Sequence, residues 1–298
     1  YRALYRLVRE HMDEIASVSA RSGVVPAFAN VKPSTWKPPR RFEDGDDAAL
    51  ANVTPESIAI DRLIDAAEAT HSDSLVVIKD KKVIVERYFG QKREPIGDGE
   101  PHRIETMSVT KSFASLAIGF LLADKKIPSL DAPLSRWFPD FAKDPKKAKI
   151  TLRHVLTHTT GIDHKPTATV MNHAEDRLAY VRALPVVDEP GTRFSYNNEA
   201  TQLLSEVIAK SAGKPIDVYL DEKLFKPLGI RDWSWERDKK GNVETYAGLA
   251  LGARDLAKIG EMLLARGRYE DREILPESWV ATSTGPSRPT ARPSRATP

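Results

Sequence analysis

Residues 108–123 read Ser-Val-Thr-Lys-Ser-Phe-Ala-Ser-Leu-Ala-Ile-Gly-Phe-Leu-Leu-Ala. The second part, Phe113–Ala123, is apolar nearly all round, which predicts a helix buried on every side. The first part carries Ser108 and Lys111, three residues apart and so on one face of that helix. A buried helix with two polar groups at its entry is a scaffold with chemistry at its end. A serine hydroxyl is a poor nucleophile until a base takes its proton. A lysine drawn out of water has a lowered pKa and can accept or relay that proton. At a helix N-terminus, a backbone N–H also faces outward, toward a reacting carbonyl oxygen. The plain alternative is a capping serine followed by a surface lysine.

Ser-x-x-Lys is common by chance, and the chain holds three, at Ser34–Lys37, Ser108–Lys111 and Ser211–Lys214. Ser34 sits between Pro33 and Pro38, where no helix can hold the pair. Ser211 lies at the C-terminal end of a predicted helix with Gly213 inside the motif, and the dipole there has the wrong sign for an oxyanion. Only Ser108 stands at a helix start.

Around that helix the texture is α+β. The run Pro55–Thr70 is helical in pattern. Ser74–Lys79 and Lys82–Phe89 read as strands of a hairpin around Asp80-Lys81. A large helical block follows, with segments at Thr151–Thr157, Ala174–Leu184, Asn198–Ala212, Ile216–Phe225 and Arg254–Arg266. Gly213-Lys214-Pro215 separates two of them. Residues 1–20 form an amphipathic pattern, Pro26–Asp47 a Pro-rich arm, and nothing beyond Trp279 reads as a packed element.

Composition removes several chemistries. Hydrophobic residues at 41% and charged residues at 29% exclude wholesale disorder. The chain has no cysteine, so disulfides, thiolate catalysis and iron–sulfur clusters are excluded, and an extracytoplasmic compartment is favoured over the cytoplasm. The net charge of +3 resides in the tail, which holds Arg288, Arg292 and Arg295 and no acid, so the body gives no basic face for nucleic acid. Phe113–Ala123 is about half the ~20 residues that a membrane span needs. The first residue is Tyr1, which suits a processed or trimmed chain.

A second polar constellation is Tyr196-Asn197-Asn198, the one Tyr-x-Asn in the chain, after a Glu189-Pro190-Gly191-Thr192 turn and before a helix from Asn198. A tyrosine beside a cationic lysine has a lowered pKa and can shuttle a proton. An asparagine amide can hold both the lysine and a substrate carbonyl or amide. The plain alternative is a turn tyrosine with an N-cap asparagine. A metal reading competes as well: His154-x-x-x-His158-x-x-Gly161-x-x-His164 has the spacing of a zinc-protease helix and turn, although the general-base glutamate expected at 155 is Val155.

Ser108-Val109-Thr110-Lys111-Ser112-Phe113 resembles the first motif of the serine β-lactamase and penicillin-binding-protein-like superfamily. Phe194-Ser195-Tyr196-Asn197-Asn198 resembles the second motif of its class C-like branch. Ile150–Gly161 is similar to the histidine-bearing loop segment of that branch, and Ser129–Leu134, Leu224–Ile230 and Gly248–Leu264 match in order, from about Pro55 to Trp279. The resemblance implies an antiparallel sheet flanked by helices, an all-helical lobe, and a cleft between them. The expected division is an arm at 1–53, an α/β lobe from 54–110 with 240–298, and a helical lobe at 111–239.

The resemblance further implies an acyl-enzyme mechanism on a small acyl substrate (an ester, linear amide or β-lactam) without metal or cofactor. Ser108 is then the nucleophile, Lys111 and Tyr196 the proton-handling pair, and Asn198 a positioning and substrate-binding residue. The different-class alternative is an inactive homologue that binds a peptidoglycan-like or small acyl ligand. The family's third motif, a Lys- or His-led Thr/Ser-Gly triplet on a strand, has no counterpart after Asn198. Ser283-Thr284-Gly285 has the wrong first residue and precedes Pro286. The C-terminal strands are therefore expected to be missing. The hairpin is expected to have an edge uncovered or filled by other segments, because two strands alone are marginal.

Overall fold

The computed structural model describes residues 55–89, 103–165 and 168–285. The predicted N-terminal helix, the Pro-rich arm with Ser34–Lys37, and the tail past Gly285 lie outside the described residues. The architecture is α+β: small antiparallel sheets beside a large helical block.

Helix α1 (Pro55–Ala69) leads into strands β1 (Ser74–Lys79) and β2 (Lys82–Tyr88), which pair antiparallel. Asp80 and Lys81 both take positive φ, 50° and 64°, the two-residue turn whose twist matches a hairpin. The register shifts between Val77 and Ile78, which face Val85 and Val83, so the hairpin carries a bulge. Strand β3 (Ile104–Glu105) then enters helix α2 (Thr110–Ala123) through one 3-10 turn at Met107–Val109.

Helix α2 meets the buried-helix expectation. Phe113, Ala114, Leu116, Ala117, Ile118, Phe120 and Leu121 are all buried, and the helix runs through the main core. Next come α3 (Leu152–Leu156), α4 (Thr169–His173), α5 (Arg177–Ala183), α6 (Asn198–Ala212) and α7 (Ile216–Leu220). Of these, α6 and α7 pack on α2. The Asn197 side chain accepts the Ala200 N–H and starts α6, and Gly213 ends it at φ 76°.

The chain then forms β4 (Trp233–Trp235), β5 (Leu249–Leu251), α8 (Ala253–Leu264), the short hairpin β6 (Arg268–Tyr269) and β7 (Arg272–Glu273), and α9 (Glu277–Thr284). Strand β5 lies between β3 and β4 in a three-stranded antiparallel sheet. Among the described residues the β1–β2 hairpin is a separate sheet, and helices α1 and α8 pack on β1. Arg254 of α8 fastens it further, donating to both oxygens of the buried Glu86 carboxylate at 3.0–3.1 Å.

Three elements differ from their sequence expectation. The helix expected over Ala174–Leu184 begins only at Arg177. Ala174 is extended, and the Asp176 carboxylate takes the Ala179 N–H, an N-cap that competes with helix before it. The helix expected over Ile216–Phe225 is α-helical to Leu220, widens to a π-turn at Asp221–Phe225 and tightens to 3-10 at Lys226–Leu228. Pro227 has no N–H to continue the α-helical ladder. Residues past Trp279 do pack, because α9 continues to Thr284 with Trp279 and Val280 buried. Its second half is Ala-Thr-Ser-Thr, poor in helix propensity, so periodicity carries no signal there. What holds it is the Trp279 indole, seated on α2 where Gly119 leaves room. A Cβ on Gly119 would lie 2.2 Å from the ring.

Candidate active site

The entry to α2 is fixed from below. Thr106, buried, receives no side-chain freedom: its N–H and hydroxyl both donate to the Leu249 carbonyl of β5, at 2.7 and 2.9 Å. Its Oγ1 also meets the Thr110 hydroxyl at 3.1 Å. Met107 then takes φ 47°, a left-handed conformation that a non-glycine residue adopts at a cost. This pinned, strained turn lifts Ser108 out to an exposed position while the helix behind it stays in the core.

Lys111, one turn on and half-buried, points back at Ser108. Its Nζ donates to Ser108 Oγ at 3.2 Å and to the Tyr246 carbonyl at 2.8 Å. The ammonium also lies over the Tyr196 ring, 4.8 Å from its centroid, and 6.0 Å from that of Tyr246. Burial lowers the Lys111 pKa to about 8. Among the described residues the ammonium has one carbonyl, one hydroxyl and two aromatic faces, and no carboxylate holds its proton.

Tyr196 arrives from the turn that caps α6. The structure brings its ring face, half-exposed, to Lys111; among the described residues no hydrogen bond joins the Tyr196 hydroxyl to the lysine. Asn198 is the first residue of α6. Its side-chain oxygen is buried, and among the described residues it has no hydrogen-bond partner, Lys111 included. Ser108, Lys111 and Tyr196 are thus gathered at one place. Asn198 lies two residues beyond Tyr196 with an acceptor left over.

Sequence reasoning missed two groups. The Tyr246 carbonyl sits 135 residues from Lys111, and a backbone acceptor leaves no trace in residue type. The second is His158, whose place in the loop segment was noted without a role in this arrangement. Its carbonyl accepts the Ser195 N–H at 2.8 Å, its Nδ1 accepts the Asn197 N–H at 3.1 Å, and its ring lies 4.6 Å from that of Tyr196. Burial foremost, and the Lys111 charge next, lower its pKa to about 4.

The three histidines of the zinc-like spacing point to separate tasks. His154 Nδ1 accepts the Thr151 N–H in a capping box, His158 Nδ1 serves Asn197, and His164 Nε2 meets Ser195 Oγ at 3.3 Å. Among the described residues no three metal-ligating side chains form a ligand set. No described helix is long and apolar enough to cross a membrane.

The family model described as Beta-lactamase matches residues 60–296. Esterase EstB of Burkholderia gladioli is 29% identical over 157 residues, covering 45% of this chain and 40% of its own. The D-alanyl-D-alanine-carboxypeptidase/endopeptidase AmpH of Escherichia coli K12 is 31% identical over 175 residues, covering 54% of this chain and 44% of its own. The matches thus span less than half the length of either relative. Among solved structures, the octameric penicillin-binding protein homologue from Pyrococcus abyssi superposes with a TM-score of 0.60 over 76% of this chain and 59% of its own, at 23% identity, a likeness of fold. With four-fifths of its length matched, the chain belongs to the Beta-lactamase family.

Proposed function

We propose that the protein is a serine hydrolase that transfers an acyl group to water through an ester on Ser108. The observation that carries this reading is the 3.2 Å contact between Ser108 Oγ and a lysine whose pKa burial has lowered to about 8. In the first step Ser108 Oγ attacks the substrate carbonyl carbon, and its proton passes to the Lys111–Tyr196 pair. The leaving alcohol or amine departs with that proton, and the acyl group stays on Ser108. In the second step water attacks the ester, gives up a proton to the same pair, and releases the acid while Ser108 regains its hydrogen. Asn198, two residues past Tyr196, is the candidate positioning residue, and its buried, unpaired side-chain oxygen would have to turn outward to accept an N–H of the substrate.

Esters and linear amides are favoured as substrates over β-lactams. Met107 and Val109 expose apolar surface on either side of Ser108, and Phe194, two residues before Tyr196 and 6.0 Å from the His158 ring, is exposed as well. Such a rim suits an uncharged acyl group. Relatives named as an esterase and a carboxypeptidase are in keeping with acyl transfer. Intact-mass spectrometry after exposure to a fluorophosphonate tests the reading. One adduct is expected, located on Ser108 and absent from Ser108→Ala. An adduct that persists in Ser108→Ala overturns it, and no adduct at all in the wild type leaves the inactive, ligand-binding homologue as the reading to pursue.

A further inference from the structure

We propose that His158 is a positioning residue, which holds Tyr196 against Lys111 by gripping the backbone on both sides of it. The inference rests on the reading of Ser108, Lys111 and Tyr196 given above and adds a residue to it. Its basis is that one residue serves three consecutive residues, the first through its backbone carbonyl and the other two through its side chain. The His158 carbonyl takes the N–H of Ser195, its Nδ1 takes the N–H of Asn197, and its ring lies against the ring of Tyr196 between them at 4.6 Å and a 33° tilt. Phe194 meets the same imidazole edge-on at 6.0 Å. The residues on either side of Tyr196 are therefore fixed to His158, and Asn197 is fixed again by its side chain, which donates to the Ile162 carbonyl at 2.8 Å and caps α6. Tyr196 has no hydrogen bond of its own among the described residues, so its place is set by this grip and by ring contact.

The position makes demands that few residues meet. The backbone of residue 158 has φ 55°, where histidine, asparagine and aspartate are the better-tolerated side chains. The side chain must present an acceptor to an inward N–H and a flat face to a phenol. It must also stay uncharged beside an ammonium. With Nδ1 accepting, the neutral ring carries its proton on Nε2. The titratable groups facing it are Lys111 from α2, Tyr196 from the turn before α6, and His164 from the loop after α3. Lys111 disfavours a second positive charge there, and burial does so more strongly. The consequence for function runs through Lys111. Its lowered pKa comes from burial, and the Tyr196 ring is part of what covers it. A Tyr196 that drifts lets water reach Lys111, and the lysine returns toward its ordinary pKa.

Two variants in the full-length protein separate positioning from mere structure. His158→Asn keeps an acceptor and tolerates the left-handed backbone but removes the ring; His158→Phe keeps a ring and removes the acceptor. The rate of fluorophosphonate labelling is measured against probe concentration and pH. We expect the maximal rate to fall by at least about tenfold in each, with the half-saturating probe concentration changed less than about twofold. The rising limb of the pH profile should move upward from about pH 8. Folded variants with wild-type rate and limb overturn the inference. In a protein whose label still depends on Ser108, that result leaves the site reading standing, whereas loss of Ser108 dependence sinks both. A measurement without variants guards against misfolding: the imidazole nitrogen-15 shifts of the wild type. They should show an Nε2–H tautomer that persists until near pH 4. A His158 ring that protonates near its ordinary pKa of 6.5 overturns the proposal.

Discussion

Ser108–Lys111 and Ser211–Lys214 share one spacing and end as opposites. Ser108 stands exposed at the entry of α2, and Lys111 folds back on it at 3.2 Å. Ser211 sits in the last turn of α6, where its hydroxyl accepts the Trp137 indole N–H at 2.9 Å. Gly213 then reverses the backbone at φ 76°, and Lys214 leaves toward Glu222, pairing with its carboxylate at 2.9–3.0 Å. Among the described residues the first lysine has no acid, and its pKa is depressed; the second has an acid and solvent. The difference is made by where the helix begins and by what covers the lysine. Spacing puts two residues on one face, and only a continuous helix keeps them there.

The largest expected effect breaks the comparison at the serine. Ser108→Ala should lower fluorophosphonate labelling by about 10³-fold or more, while Ser211→Ala should label at the wild-type rate. Equal losses in the two variants would mean that the contrast drawn here is not a contrast in chemistry.

Next in size is the lysine. Lys111→Met should slow labelling by about 10²–10⁴-fold, and it should stabilise the fold. Lys111 has a folded pKa of about 8 against an ordinary 10.5, so folding disfavours its charge. Below pH 8 both folded and unfolded chains carry the proton, and the cost of burying it is fully present. Between about 8 and 10.5 the unfolded chain holds more protons, so wild-type stability rises with pH. The advantage of methionine over lysine should accordingly be greatest below pH 8 and shrink above it. Urea titrations of both proteins at pH 7 and pH 10 measure this, and a constant difference would remove burial as the cause of the shift.

Much of this contrast was legible before any coordinates. The apolar run after Phe113 forces a buried helix whatever surrounds it, and Gly213 forces a helix end, so the two Ser-x-x-Lys pairs could be told apart from residue type alone. The hairpin was legible for the same reason: alternation acts over neighbours. The three-stranded sheet was not. Its strands are two or three residues long, too short for periodicity, and they meet only because Ile104 faces Leu251 and Trp233 faces it from the other side. The Arg254–Glu86 and Arg177–Glu244 pairs join residues 168 and 67 positions apart. At the site, the gathering of Ser108, Lys111 and Tyr196 was expected. The approach of Lys111 to the Tyr196 ring, the Tyr246 carbonyl and the grip of His158 depend on side-chain rotamers and backbone carbonyls, which a sequence does not display.

A smaller effect belongs to the second serine. The Trp137 indole is buried and donates to Ser211 Oγ. Ser211→Ala leaves that N–H without an acceptor, which costs about 1–3 kcal/mol of folding stability. Denaturant unfolding should show the loss with labelling unchanged. The double change Ser211→Ala with Trp137→Phe, which removes both partners, should recover part of it. No recovery would mean that the indole matters through packing and not through its hydrogen bond.

The smallest effect sharpens the comparison at its last residue. Lys214 and Glu222 are both substantially exposed, with side-chain accessibilities of 37% and 49%. Exposed pairs of this kind contribute at most about 1 kcal/mol, and salt screens them. Lys214→Ala should therefore shift stability by less than about 1 kcal/mol, with the shift disappearing in high salt and labelling untouched at every pH. Lys111→Met should keep its stabilising effect in high salt, because its origin is burial and not a partner charge. Stability measured for both variants at low and high ionic strength decides the matter. A salt-sensitive Lys111 effect beside a salt-insensitive Lys214 effect would reverse the assignment of the two lysines, one to desolvation and the other to a screened surface pair.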